Sequence, residues 1–306
     1  MKIGIIGAGA MGCLYACLLS GKNEVVLLDI DRKTVEAINR DGIFKKEPDG
    51  TEQNFRIRAE ISGEAEGVFD LLIVMVKDTA TRAALSCNRG LISGDTVLLS
   101  LQNGMGNYEI LQEFAAPGQI LLGTTKHNCV TLGFGRIYHS GAGVTHIGSP
   151  SREAETAARI ADAFRGSGIE AEECGDVKRL LWEKLFINMT INAVTALLDA
   201  PIGVIAEDAY AREVTAKLLE EAVAVAREDG ADFDEAAVYR DVTHTAEILK
   251  TGKASMCQDM EKKRRTEIDF INGAVVRLGK KYGIETPYHA MITALIHAKE
   301  GLYEGQ

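Results

Sequence analysis

The distribution of apolar residues changes character about halfway along the chain. In the first half, short runs rich in Ile, Val and Leu alternate with segments of helical spacing. Residues 2–6, 24–29, 71–77 and 96–101 are such runs, nearly all apolar, as strands are when both faces of a sheet are covered. Residues 120–124 and 143–147 read as later strands, and residues 11–20 and 33–41 as helices. This strand–helix rhythm predicts a doubly wound parallel sheet. From about residue 176 helix follows helix, over 180–198, 209–229, 234–251, 256–282 and 287–301, with Pro201, Gly230 and Gly283 as breakers. The expected fold class is α/β: an N-terminal Rossmann doubly wound sheet over residues 1–174, then an all-helical C-terminal domain over 175–306.

Composition narrows the function without changing that picture. The chain has 306 residues, 46% hydrophobic and 25% charged, an ordinary globular balance. Its net charge of −10 repels phosphate backbones, so no nucleic acid partner is expected. Neither a signal peptide nor an apolar run of transmembrane length is legible, so no membrane partner and a cytoplasmic location are expected. The cysteines Cys13, Cys17, Cys87, Cys129, Cys174 and Cys257 form no Cys-x-x-Cys pair and read as buried, reduced, structural thiols. The histidines show no paired spacing, so neither a metal site nor a catalytic histidine is assigned. The acidic helical half is compatible with a homodimer.

The first candidate chemistry lies at the end of the first strand. Gly7-Ala8-Gly9-Ala10-Met11-Gly12 follows that strand and opens a helix. Gly7 permits a tight turn, Gly9 lets backbone approach a pyrophosphate, and Gly12 lets helix and strand pack closely. The helix start, at Ala10 and Met11, then offers N–H groups to phosphates. In this strand–turn–helix context the fingerprint predicts a dinucleotide, and the short chain with a helical second half fits a nicotinamide better than a flavin. Asp29 ends the second strand, where a carboxylate accepts from the adenosine ribose hydroxyls and repels a 2′-phosphate. That leans to NADH. Arg32 and Lys77, at or near strand ends, are phosphate partners that keep NADPH open. Asn103, in Leu101-Gln102-Asn103-Gly104, closes another strand at the ligand-binding edge, although Asn-Gly is also a plain turn signal.

The second half holds a polar stripe on an apolar helix. Lys184, Asn188 and Asn192 are spaced i, i+4, i+8, with Thr195 continuing the row, amid Leu181, Leu185, Phe186, Ile187, Met189 and Ile191. A helix apolar on most sides is buried, and buried amides and ammonium groups need partners. The stripe therefore lines a polar cavity or pairs with another element. In a cleft, Lys184 suits carbonyl reduction: an ammonium aimed at the ketone oxygen stabilises developing negative charge and supplies a proton. Glu267 falls in the apolar row of the helix expected over 256–282 and needs a cationic or donor partner there, Lys184 being one candidate and Arg264 or Lys263 others. Ser255 is the expected N-cap of that helix.

These motifs together resemble the ketopantoate reductase (2-dehydropantoate 2-reductase) family almost end to end. The resemblance rests on GAGAMG at 7–12, LQNG at 101–104, GVTHIGSP at 143–150, WEKLFINMTINAVTAL at 182–197 and SMCQDMEKKRRTEIDFING at 255–273. It implies reduction of 2-dehydropantoate to (R)-pantoate in pantothenate biosynthesis, usually with NADPH. By the same resemblance Lys184 matches the catalytic lysine and Glu267 the acidic substrate-site residue. Asn103, Asn188 and Ser255 match polar site residues, and Lys77 a lysine near the adenosine phosphate. The chain departs from the pattern at Ile202 and Gly252, where asparagine is usual, and at Asp29, which runs against NADPH. The first two put the identity of the 2-oxo acid in question rather than the reaction type.

Overall fold

A computed structural model of the protein describes residues 1–151 and 153–303; the last three residues expected in the helical domain lie outside that description. The chain divides into two compact units, Met1–Gln102 with Asn107–Leu180, and Asn103–Gly106 with Leu181–Gln306. The short run 103–106 thus belongs to the second unit although it follows a strand of the first.

The first unit is built on an eight-stranded sheet. Its strands are β1 (Lys2–Ile6), β2 (Glu24–Asp29), β5 (Arg58–Ile61), β6 (Leu71–Val74), β7 (Val97–Ser100), β8 (Ile120–Thr125), β11 (Thr145–Gly148) and β12 (Ala171–Glu173). The order β12-β11-β8-β7-β6-β1-β2-β5 is parallel except for the β11–β8 pair. β6 and β7 are buried at every residue, as their uninterrupted apolar sequences require. Chain order reverses between β1 and β6, which makes their C-terminal ends the switch point where ligands bind in such sheets. The helices of this unit are α1 (Ala10–Leu19), α2 (Arg32–Asp41), α3 (Thr81–Cys87), α4 (Asn107–Leu111) and α5 (Ala154–Gly166).

A second sheet was not anticipated from sequence. β3 (Ile43–Lys46), β4 (Glu52–Phe55), β9 (Asn128–Gly133) and β10 (Arg136–Gly141) form a four-stranded sheet in the order β4-β3-β10-β9. α1 touches both sheets, which is why its sequence AMGCLYACLL has no polar face. A chain of polar groups, with Lys45 and His139 buried and Glu47 and His127 half-buried, runs along the small sheet. Lys45 pairs with Glu47 at 2.7 Å, Glu47 with His139 at 3.0 Å, and His139 with His127 at 3.0 Å. So two histidines expected to be unrelated do meet. The thiol expectation holds for Cys13, Cys17 and Cys257, whereas Cys87 is exposed. Burial pushes the Cys13 thiol up to about 12, so it stays protonated.

The second unit is helical: α6 (Val177–Ile187), whose last turns enter it, a π turn (Asn188–Asn192), α7 (Ala193–Leu198), α8 (Val204–Glu207), α9 (Ala209–Glu228), α10 (Glu235–Ile248), α11 (Ser255–Glu261), α12 (Asn272–Tyr282) and α13 (Pro287–Gly301). Its core gathers on the α6–α7 helix through Trp182, Leu185, Phe186, Met189 and Ile191. The helix expected over 256–282 is broken. α11 closes at Lys263, which takes a left-handed φ of 51°. The Arg264 N–H reaches back to Asp259 O at 2.9 Å and the Lys263 N–H to Met260 O at 3.0 Å, the paired bonds of a Schellman stop made without glycine. Nor does Ser255 cap α11: Ala254 precedes the helix and Ser255 is its first residue, with no side-chain cap bond. None of the helices among the described residues is long and apolar enough to cross a membrane.

One buried network joins three of these helices. Asn272 Nδ2 donates to Met189 O in the π turn at 2.9 Å and to His289 Nδ1 at 3.2 Å. His289 Nε2–H donates in turn to Leu218 O at 2.9 Å. His289 is fully buried, and desolvation lowers its pKa from 6.5 to about 4. The native state thus holds it neutral while the unfolded chain protonates it near 6.5, so stability is complete above that pH and falls as pH drops toward 4. At full expression the shift corresponds to about 3 kcal/mol. Thermal midpoints measured between pH 7 and pH 4.5 should fall for the native sequence, and His289→Gln, though less stable, should give a shallower slope.

Candidate active site

The glycine turn is built by packing at two positions and left open at a third. Gly7 has φ 108°, and a Cβ there would sit 3.0 Å from the Met75 carbonyl carbon. A Cβ on Gly12 would lie 1.8 Å from Gly7 O, so only glycine lets α1 close on the turn. A Cβ on Gly9, by contrast, meets nothing within 4 Å. Gly9 is exposed at the N-cap of α1, and no side chain caps that end. The protein's own packing does not require glycine there, and open space over the free N–H groups of Ala10 and Met11 is the cradle a pyrophosphate needs. The residues present therefore fit a dinucleotide.

Asp29, at the end of β2, fastens this turn. Its Oδ2 accepts from the Ala8 N–H at 2.6 Å and its Oδ1 from the Asp31 N–H at 2.8 Å. Each oxygen keeps a lone pair, so the carboxylate stays available as an acceptor. Asp31 caps α2 through the N–H groups of Lys33 and Thr34. Arg32 pairs with Glu64 at 2.9 Å on the surface. Lys77, half-buried, follows β6 at the switch point. Its loop is fixed by Gln102, whose Nε2 donates to Val76 O and to Thr81 Oγ1, both at 2.8 Å. Gln102 sits inside the LQNG motif but carried no expected role; its burial beside two strand ends is invisible in one sequence.

In the second unit, Lys184 and Asn188 are half-buried on successive turns of the α6–π helix, and Asn192 is buried one turn on. Asn192 Nδ2 donates to Ser255 Oγ at 3.3 Å, which brings two expected substrate residues together from separate helices. Thr195 leaves the stripe: fully buried, its hydroxyl donates back to Ile191 O at 2.7 Å. Glu267 does not stand in an apolar helical row. It is half-buried in the connection between α11 and α12, just before a 3-10 turn at Ile268–Phe270. Asn103 Nδ2 approaches Glu267 Oε2 at 3.5 Å, the long limit of a hydrogen bond. The backbone enforces this meeting. The Met105 N–H donates to Phe270 O at 2.8 Å, and a Cβ on Gly104 would lie 2.3 Å from that same oxygen. The Asn-Gly pair is thus a turn, and the turn brings Asn103 to the carboxylate.

The two departures from the family pattern touch. The Ile202 N–H donates to Gly252 O at 2.9 Å. A Cβ on Gly252 would stand 3.0 Å from Leu249 O and 3.4 Å from Ile202 Cδ1. Ile202 is buried.

Comparison with known proteins covers nearly the whole chain. A family model described as ketopantoate reductase PanE/ApbA matches residues 3–152, and one for the C-terminal part of the same family matches 176–300. The 2-dehydropantoate 2-reductase of Streptococcus pyogenes serotype M3 is 32% identical over 306 residues, covering 99% of both chains. That of Pyrococcus horikoshii is also 32% identical, over 100% of this chain and 99% of its own. Among solved structures, D-mandelate dehydrogenase with NADH and anilino(oxo)acetate superposes with a TM-score of 0.94 at 31% identity, over 99% of this chain and 100% of that one. The 2-dehydropantoate 2-reductase of Geobacter metallireducens gives 0.90 at 28% identity, over 97% and 99%.

The contrast between Gly9 and Gly12 separates binding from folding. Gly9→Val should leave the thermal midpoint within a degree or two, yet weaken NADH binding by about ten-fold or more, roughly 1.4 kcal/mol. Gly12→Ala should instead lower the midpoint, since overpacking costs about 1–3 kcal/mol. Fluorescence titration and a thermal melt on the two variants check both.

Proposed function

Because the chain belongs to the ketopantoate reductase family, and so is an NAD(P)H-dependent oxidoreductase of a CH–OH/C=O group, we propose that it reduces the ketone of a small 2-oxo acid, 2-dehydropantoate first among them, giving (R)-pantoate. The observation that carries this reading is the polar lining of the helical unit. A lysine and two amides on one helix, a serine hydroxyl hydrogen-bonded to one amide, and a carboxylate held beside Asn103 suit a substrate with a carboxylate, a ketone and a hydroxyl.

Each group has a role that follows from its chemistry. Bound NAD(P)H supplies a hydride to the carbonyl carbon. The turn opened by Gly9, with Gly7, Ala10, Met11 and Gly12, would hold the pyrophosphate; Asp29 would take the ribose hydroxyls, and Lys77 would pair with the adenosine phosphate. Lys184 stabilises the oxygen as negative charge develops and gives it a proton, an effect worth about 10²–10⁴-fold in such transfers. Asn188, Asn192 and Ser255 hold the substrate by hydrogen bonds. Glu267 accepts from a substrate hydroxyl, with the Asn103 amide turning its carboxylate.

NADH is the favoured cofactor in this reading. The Asp29 carboxylate would face a 2′-phosphate with like charge, and Arg32, the nearest cation in sequence, is already paired with Glu64. A second reading of the substrate rests on Ile202 and Gly252. Neither position offers an amide, which fits a 2-oxo acid with an apolar side chain. The structurally similar D-mandelate dehydrogenase is consistent with that choice.

Lys184→Ala should fold, bind NADH, and lose about 10²-fold or more in kcat; near-native turnover would remove the lysine from the chemistry. Absorbance assays should give a higher kcat/KM with NADH than with NADPH. In the same assay, a panel of 2-oxo acids ranks the two substrate readings. If 2-dehydropantoate is best, the first stands; if an aryl or branched 2-oxo acid exceeds it, the second does.

A further inference from the structure

The carboxylate of Glu267 sits in a connection, not on a helix, so something must hold it. α13 does so from both sides. Glu300, 7% exposed, accepts from the Thr266 N–H and the Thr266 hydroxyl, each at 2.7 Å. Its other oxygen accepts from His297 Nδ1 at 3.1 Å. His297 Nε2 donates across to Asp269 Oδ1 at 2.9 Å. Thr266 immediately precedes Glu267, and Asp269 lies two residues after it. Arg277 Nη1 completes the grip by donating to Asp269 O at 2.6 Å.

We propose that His297 and Glu300 are positioning residues for Glu267: together they clamp the residues flanking it and fix where its carboxylate meets the 2-oxo acid. The assignment rests on the reading of Glu267 as a substrate residue. The geometry argues for it in three ways. Glu300 is a buried acid, costly unless satisfied, and its recorded donors come from Thr266 and His297. His297 lies between two carboxylates, so both ring nitrogens donate when it is charged. Burial alone would lower its pKa, but the bonds to Asp269 and Glu300 outweigh that and raise it, favouring the charged form. The clamp also sits on the same short segment whose Phe270 carbonyl anchors the 103–106 run, so it bears on Asn103 as well. Neither His297 nor Glu300 belongs to the motifs that carry the family resemblance.

A double-mutant cycle tests the assignment, because a residue acting only through another loses its effect when that other is gone. His297→Ala, at a side chain 42% exposed, should fold. It should lower kcat/KM for the 2-oxo acid by about ten-fold, equivalent to about 1.4 kcal/mol, with KM for NADH unchanged. In a Glu267→Gln background the same change should cost less than about two-fold. Thr266→Val, which removes a donor to Glu300, should show the same loss of effect, and His297→Gln should restore part of the activity. Equal losses in the native and Glu267→Gln backgrounds would overturn the positioning role while leaving Glu267 in place. Native-like kcat/KM for Glu267→Gln alone would overturn the reading of Glu267, and this assignment with it.

Discussion

The second unit depends on one conflict: its central helix must be buried, yet it carries a lysine and two amides. A regular α-helix with that sequence would either expose its apolar faces or bury unsatisfied polar groups. Part of the conflict is resolved by Ser255, whose hydroxyl accepts from Asn192 Nδ2 at 3.3 Å, and the π turn at Asn188–Asn192 adds carbonyls that its wider winding displaces from the regular ladder. Those carbonyls need other donors, and side chains supply them. Thr190 donates to Phe186 O at 2.7 Å, and Asn272 to Met189 O at 2.9 Å. The chain then runs through His289 to α9, while Glu221 on α9 accepts from the Tyr288 and His289 N–H groups at the start of α13. One irregular turn therefore fixes how three further helices sit, and α13 is the helix that grips the Glu267 segment.

The first unit meets a different constraint, that of a helix covered on both sides. α1 needs close approach to the turn beneath it, which dictates glycine at position 12, and its start must stay unencumbered, which leaves position 9 open. Asp29 links the two requirements. By accepting the Ala8 N–H it sets the turn, and it places a carboxylate beside the cradle. A single residue thus ties the end of β2 to the turn and to the start of α2.

Much of this was legible because it follows from local rules. Uninterrupted apolar runs gave β1, β2, β6 and β7 within a few residues, and the fingerprint located the turn because glycine is required there by contact. The small sheet was not legible: strands such as Glu-Gln-Asn-Phe have neither alternation nor apolar run, and that one is held by pairing with β3, which with β9 and β10 packs on α1. The break after α11 was hidden because its left-handed residue is a lysine rather than a glycine. That error carried the misplacement of Glu267 into a helical row, whereas Ser255 was displaced by one residue at the helix start, where Ala254 is the N-cap. The Glu267 carboxylate nonetheless has a donor partner, as a half-buried acid requires, since Asn103 Nδ2 approaches it at 3.5 Å. Asn272, Gln102 and Glu300 were missed for the opposite reason: their roles come from long-range contacts that no spacing rule encodes.

The polar groups of the α6–π helix and the pair Ile202 and Gly252 are held in different ways. Lys184, Asn188 and Asn192 are held by a helix whose own ladder and core fix them. Ile202 and Gly252 lie in the links that follow α7 and α10, joined by one backbone bond at 2.9 Å. Because a side chain at 252 would press on Ile202 and on Leu249 O, an amide there requires a change at 202 as well. The two positions are therefore coupled to each other: a polar pair and an apolar pair at 202 and 252 would have to exchange together, while Lys184, Asn188 and Asn192 stand on a different element.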